Sequence, residues 1–149
     1  MKTGTISINF KRFDKSLPLP EFKTKGAVAA DMYSRLDVDI EPNEIAYIPL
    51  NVAIEIPDGY CIFLISRSST HKFGIRSVNG IGVFDNDFCG DDDEYKFIVY
   101  NYTDKPVHID KGSRVAQILL VKKENFAINE LDNFKHNPTR GGIGSTGIK

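Results

Sequence analysis

Short runs of alternating apolar and polar residues, each closed within a few positions by a turn signal, commit this chain to β-structure. Thr5-Ile-Ser-Ile-Asn-Phe10 alternates as a half-buried strand does. Ile45–Leu50 and Val52–Ile56 follow, and the turn Pro57-Asp-Gly-Tyr60 leads into Cys61–Ser66. Phe97–Tyr102 is β-branched and aromatic and is closed by Asp104-Lys-Pro106. Val107–Ile109 ends at Asp110-Lys-Gly112, and Val115–Val121 and Phe126–Leu131 complete the strands. Helical spacing is nearly absent. Only Ser68–Phe73 has room for a turn or two, stopped by Gly74. Many short strands at this spacing predict an all-β sandwich, jelly roll or barrel with at most one short helix.

The 149 residues suit a single domain. A chain of this length buries roughly 68–70% of its unfolded surface and needs no disulfide staples. Cys61 and Cys89 are isolated, form no CxxC pair, and read as reduced thiols. With 19 basic and 20 acidic residues the net charge is −1, which speaks against a global nucleic-acid or membrane field. Any anion site must be built locally. No apolar run approaches a membrane span, and Met1-Lys-Thr-Gly-Thr5 lacks the apolar stretch of a signal peptide. A cytoplasmic location is the expectation. After Leu131 the apolar pattern fades. This predicts a β domain over residues 1–132 and a flexible C-terminal arm over 133–149.

The arm ends in Thr139-Arg-Gly-Gly-Ile-Gly-Ser-Thr-Gly147. Glycine lets backbone N–H groups approach a ligand closely. Arg140 adds a planar cationic fork, and Ser145 and Thr146 add hydroxyls. These are the parts of a polyphosphate clamp, with a plain glycine-rich tail as the alternative. Asn79–Gly90 combines Gly80, Gly82 and Gly90 with Asp85 and Asp87. It starts like an EF-hand loop, but Cys89 and Lys96 stand where calcium needs oxygen ligands. The remaining readings are a polar hairpin, or a hairpin that opens its backbone to a flat ligand while a carboxylate aligns water. Ser66-Arg-Ser-Ser-Thr70 offers hydroxyls and N–H groups where a helical turn starts, suited to phosphate or to simple capping.

Asp31 is a lone acid in an apolar setting, open to a structural arginine pairing. Arg114 reads as a salt-bridge residue, and Gln117 is a polar residue needing partners inside an apolar run. The run Asp91–Glu94 reads as a solvated loop. His71, His108 and His136 are scattered and lack zinc spacing, and no P-loop is present.

Five segments in this order resemble the trimeric dUTPase family. They are Ala30-Asp-Met-Tyr-Ser34, Arg67-Ser-Ser69, Asn79-x-x-Gly82-x-x-Asp85-x-x-Phe88-x-Gly90, Gly112-Ser-Arg-Val-Ala-Gln117 and Arg140–Gly147. The resemblance implies a distorted jelly roll, a homotrimer with sites between subunits, and Mg²⁺-dependent hydrolysis of dUTP to dUMP and pyrophosphate. By the same resemblance Asp85 positions the attacking water. Asn79, Gly82, Phe88 and Ile143 match contacts to uracil and deoxyribose. Arg67, Ser68, Ser69, Gln117, Arg140, Gly142, Ser145 and Thr146 match phosphate contacts, and Asp31 an acid that reaches the metal through water.

Two positions depart from the family pattern. Phe88 stands for the usual tyrosine, and Ile143 for the usual aromatic over the base, leaving Tyr95 as a candidate to cover uracil instead. A dCTP deaminase of similar fold, or a non-catalytic nucleotide sensor or protein-binding regulator, are the competing classes. The deaminase needs a glutamate in the hairpin region, and Asn79–Phe88 contains none.

Overall fold

The computed structural model describes residues 4–135 and 138–147. His136, one of the scattered histidines, and the last two residues of the arm lie outside the described residues. Among the described residues eleven short strands form, all paired antiparallel. They are β1 (Asn9–Arg12), β2 (Ala30–Tyr33), β3 (Val38–Ile40), β4 (Ile45–Pro49), β5 (Val52–Glu55) and β6 (Tyr60–Ser66). After a single 3₁₀ turn at Thr70–Phe73 come β7 (Ile75–Ser77), β8 (Ile81–Phe84), β9 (Lys96–Asn101), β10 (Val107–Ile109) and β11 (Arg114–Lys122). A four-stranded sheet runs β2-β11-β6-β8 and a three-stranded sheet β4-β9-β7, flanked by the pairs β1-β5 and β10-β3. This is the expected all-β jelly-roll class.

Alternation explains most of the core. In β9, Phe97, Val99 and Asn101 are buried while Lys96, Ile98 and Tyr100 face outward to differing degrees. Met32, Ile48, Leu50, Ile62, Ile75 and Val115 join the same apolar cluster. The 3₁₀ turn ends where predicted. Gly74 caps it at φ 81°, a left-handed conformation that glycine adopts without a Cβ penalty.

Phe126–Leu131 does not form a strand. Phe126 is 84% exposed, Ile128 89% and Leu131 67%. The alternation is present, but within one chain no sheet edge receives it. β1 begins at Asn9 rather than Thr5, and β2, β3, β7 and β8 are strands that periodicity did not single out.

Asp91–Glu94 is not a simple solvated run either. The Glu94 side chain is only 9% exposed. It accepts hydrogen bonds from Arg35 Nε at 2.6 Å, Arg35 Nη2 at 2.9 Å and the Asn51 N–H at 2.9 Å. The carboxylate beside it raises the Arg35 pKa. Asn51 sits at φ 70°, which asparagine tolerates better than most residues, and its side chain exchanges two hydrogen bonds with the Asp14 backbone. Glu94 therefore ties the β8–β9 loop to the β4–β5 corner. Glu94→Gln leaves a guanidinium without its anion. The variant is expected to lose about 2–3 kcal/mol, read as a lower urea midpoint with an unchanged m-value.

Candidate active site

Asp31, on β2, and Gln117, on β11, are register partners. Arg114 lies three positions before Gln117, so a regular strand would send the two side chains to opposite faces. The β2–β11 pairing shifts register between Arg114 and Ala116, and the extra residue resets the alternation. Arg114 Nη1 thereby reaches Asp31 Oδ2 at 2.9 Å.

Asp31 Oδ1 accepts Arg67 Nε at 2.9 Å. Arg67 also donates to Ser69 Oγ at 3.0 Å and to the Arg114 carbonyl at 2.9 Å. Gln117 Nε2 donates to the Ser66 carbonyl at 3.0 Å. The buried Thr70 hydroxyl closes the base of this turn, accepting the Arg67 N–H at 2.8 Å and donating to the Val115 carbonyl at 2.9 Å. Ser69 stands at the N-terminus of the 3₁₀ turn without a side-chain capping bond, and Ser68 is exposed. One acid thus anchors two guanidinium groups, beside two hydroxyls and an amide, on one sheet face. The structural pairing open to Asp31 in the sequence is realised, and the assembly suits an anion.

The second group lies at the other edge of the same sheet. Asn79 opens a tight turn in which the Ile81 N–H reaches the Asn79 carbonyl at 2.8 Å, and Asn79 Oδ1 accepts the Ser77 hydroxyl at 3.1 Å. A cavity of about 100 Å³ opens between Leu64, Asn79, Gly82, Phe84, Phe97 and Ile98. A Cβ on Gly82 would stand 3.3 Å from the Phe84 ring and 3.4 Å from Leu64. Glycine keeps this wall of the cavity free of a side chain.

Asp85 follows β8 directly and is exposed. A turn returns the Phe88 N–H to the Asp85 carbonyl at 3.3 Å. Asn86 pins this turn from below, donating to the Pro57 carbonyl at 2.9 Å and the Ile56 carbonyl at 3.3 Å. Sequence reasoning passed over Asn86. Its neighbours Asp85 and Asp87 drew attention as acids, while an amide facing a turn thirty residues away leaves no local signature.

Phe88 is half-exposed and rests on Phe84 and Tyr95, with ring centroids 5.6 and 5.9 Å away. Tyr95 cannot cover a base. It is wholly buried and stacks on Phe84 at 3.9 Å, and burial pushes its hydroxyl pKa well up. It supports Phe88 from inside. Its hydroxyl has no hydrogen-bond partner among the described residues. Tyr95→Phe removes that buried group and is expected to raise stability by about 1 kcal/mol, read as an increased melting temperature.

The two groups do not meet within one chain. Asp31, Gln117, Ile65 and Ile81 fall in one row across the sheet, and Asp85 lies beyond Phe84 on the far strand. Strand spacing and rise put Asp85 roughly 20 Å from Asp31. The arm is a third separate part. Gly141 N–H bonds Thr139 Oγ1, Ser145 N–H bonds the Gly142 carbonyl, and Gly147 N–H bonds the Gly144 carbonyl. Among the described residues the segment 138–147 hydrogen-bonds only within itself. Arg140 and Thr146 are exposed and Ile143 is fully so. Gly141, Gly144 and Gly147 hold φ near 80° and coil the segment.

The sequence profile of the dUTPase family matches residues 15–147. A deoxyuridine 5'-triphosphate nucleotidohydrolase of Dictyoglomus turgidum is 34% identical, the match covering 96% of this chain and 99% of the relative. An SPbeta prophage-derived deoxyuridine 5'-triphosphate nucleotidohydrolase of Bacillus subtilis is 40% identical over 80% of this chain and 83% of its own. Among solved structures, a mutant dUTPase of Staphylococcus bacteriophage 80alpha with dUpNHpp superposes with a TM-score of 0.83 at 24% identity, covering 97% of this chain and all of that one. With the match running from before β2 into the arm and near-complete length agreement on both sides, the chain belongs to the dUTPase family.

Proposed function

We propose that this protein hydrolyses dUTP to dUMP and pyrophosphate by in-line attack of water on the α-phosphorus. The observation that carries the reading is Asp85: an exposed carboxylate one residue beyond Phe84 in the cavity wall, on a turn anchored by Asn86. Uracil enters the cavity edge-on against Asn79 and the strand backbone at Gly82. The Phe88 ring packs under deoxyribose, and its bulk excludes a 2′-hydroxyl without needing a hydroxyl of its own. Asp85 then accepts a hydrogen bond from water and aims it at the innermost phosphate.

The phosphates require the other two parts. Arg67, Ser68, Ser69 and Gln117 of one chain face the triphosphate held by the hairpin of another, in a homotrimer with sites between subunits. The arm closes from a further subunit. Residues 133–149 extended span up to roughly 55 Å, enough to cross. Arg140 and the Gly142, Ser145 and Thr146 groups wrap the outer phosphates, and Ile143 covers the base. Closure shuts out bulk water.

Mg²⁺ fits this donor set. Asp31 already receives a guanidinium N–H on each oxygen, and the two cations beside it disfavour direct coordination, so it would reach an ion through water. An ion that keeps several waters and takes phosphate oxygens matches that requirement. When bound, it neutralises charge on the leaving pyrophosphate.

A panel of dUTP, dTTP, dCTP and UTP with Mg²⁺, scored for pyrophosphate and ammonia together, tests the reading. Pyrophosphate from dUTP far above the others is the expected result. Ammonia from dCTP as the main product would replace this function with deamination. Asn86→Ala loosens the turn beneath Asp85. It should lower kcat about 10–100-fold while KM for dUTP stays within a few fold.

A further inference from the structure

The pairing of β3 with β10 sets Asp39 opposite His108, at the end of the molecule carrying the Asp110-Lys-Gly112 turn. His108 Nδ1 lies 2.6 Å from Asp39 Oδ1, a hydrogen bond of charge-assisted length. The other ring nitrogen faces a different situation. Nε2 stands 3.4 Å from Asp110 Oδ1 and 4.0 Å from Asp37 Oδ1, both beyond good hydrogen-bond distance. Two ligands at about 2.0–2.1 Å from a tetrahedral zinc ion are about 3.3–3.4 Å apart, so the Nε2 to Asp110 gap has the span of two atoms sharing a metal. One donor atom from each of Asp37, His108 and Asp110 lies within 4.8 Å of the others.

We propose that Asp37, His108 and Asp110 bind a divalent transition-metal ion of the zinc type, with Asp39 orienting the imidazole. A carboxylate on the far ring nitrogen fixes the tautomer that presents Nε2 to a metal and raises its basicity. Asp37 is also held in place, its Oδ1 accepting the Lys111 N–H at 2.8 Å. The Lys111 ammonium points to Asp14 at 2.5 Å rather than to the acids beside it. Mixed imidazole and carboxylate donors suit zinc, cobalt and similar ions, whereas magnesium prefers oxygen alone. The scattered histidines offered no zinc spacing in sequence; here the ligands come from a loop, a strand and a turn brought together by one antiparallel pair.

The ion would act as a staple. Asp37 precedes β3 and Asp110 follows β10. Between these segments and the phosphate-facing strands, Ser34 bonds Gly112 and Ser113 at 2.8 and 2.9 Å. The cluster is exposed, so water completes the coordination and the affinity stays modest.

Calorimetric titration of the full chain with Zn²⁺, in excess Mg²⁺, tests the site, with Co²⁺ as a coloured substitute reporting tetrahedral ligation. Wild type should bind one more Zn²⁺ per chain than His108→Ala, and only wild type should show the corresponding Co²⁺ visible bands. Asp39→Asn should weaken that event about 10–100-fold, as loss of an orienting partner does. Turnover with Mg²⁺ alone should be equal in all of them. Should His108→Ala fail to fold, Asp110→Asn provides the same comparison. Equal stoichiometry and affinity in wild type and the ligand variants would reduce the cluster to surface ion pairs and overturn the proposal.

Discussion

Asp85→Asn is expected to abolish most turnover of dUTP while leaving its binding nearly intact. The substitution keeps size and shape but replaces a carboxylate that accepts a proton with an amide that does not. Loss of a positioned base typically costs about 10²–10⁴ in rate. Asp85 is exposed and its side chain supports no core contact, so the fold should not change. Binding should hold because the base cavity is formed by Leu64, Asn79, Gly82 and Phe97, and the phosphate groups lie on other strands. Single-turnover hydrolysis and calorimetry with a non-hydrolysable dUTP analogue separate the two effects. Wild-type hydrolysis by Asp85→Asn would remove this residue from the mechanism.

Deleting residues 133–149 should lower turnover about 10²–10³-fold, the usual cost of removing a group that stabilises transition-state charge. Arg140→Ala should account for most of that loss. The domain itself should melt unchanged, since segment 138–147 makes no hydrogen bond to it among the described residues. Mixing provides the sharper result. An Asp85→Asn chain retains a working arm, and an arm-deleted chain retains Asp85. Refolded together, two inactive proteins should recover measurable activity if arm and carboxylate meet across subunits. Absence of recovery in confirmed mixed assemblies would require each arm to serve its own chain, and full activity of the arm-deleted chain alone would deny the clamp altogether.

Elements with half-buried alternation were legible in the sequence, and the two observed strands β4 and β9 begin and end within a residue or so of their predicted limits. β2 was not, because all four of its residues are buried and one of them is Asp31. A short, fully buried strand has no period-two signal, and an acid inside it makes sense only once Arg67 and Arg114 are placed. β8 hid for a different reason. Gly82 makes Ile81–Phe84 look like loop, although glycine there serves the cavity. Phe126–Leu131 shows the reverse case: the alternation is present, but no strand among the described residues pairs with it. Glu94 sat in a run of acids that looked uniformly solvated, and only tertiary structure separates it from Asp91 and Asp92. The five motif segments could be read off the sequence in order. Their division into separate groups could not, since order along a chain carries no distance between sheet edges.

That division has a genetic consequence. On the proposed reading, Asp31 and Asp85 of one polypeptide lie too far apart to serve the same nucleotide, and no copy owns a complete catalytic centre. A copy damaged in one part still lends its intact parts to its neighbours, so alleles defective in different parts are expected to complement one another when produced in the same cell.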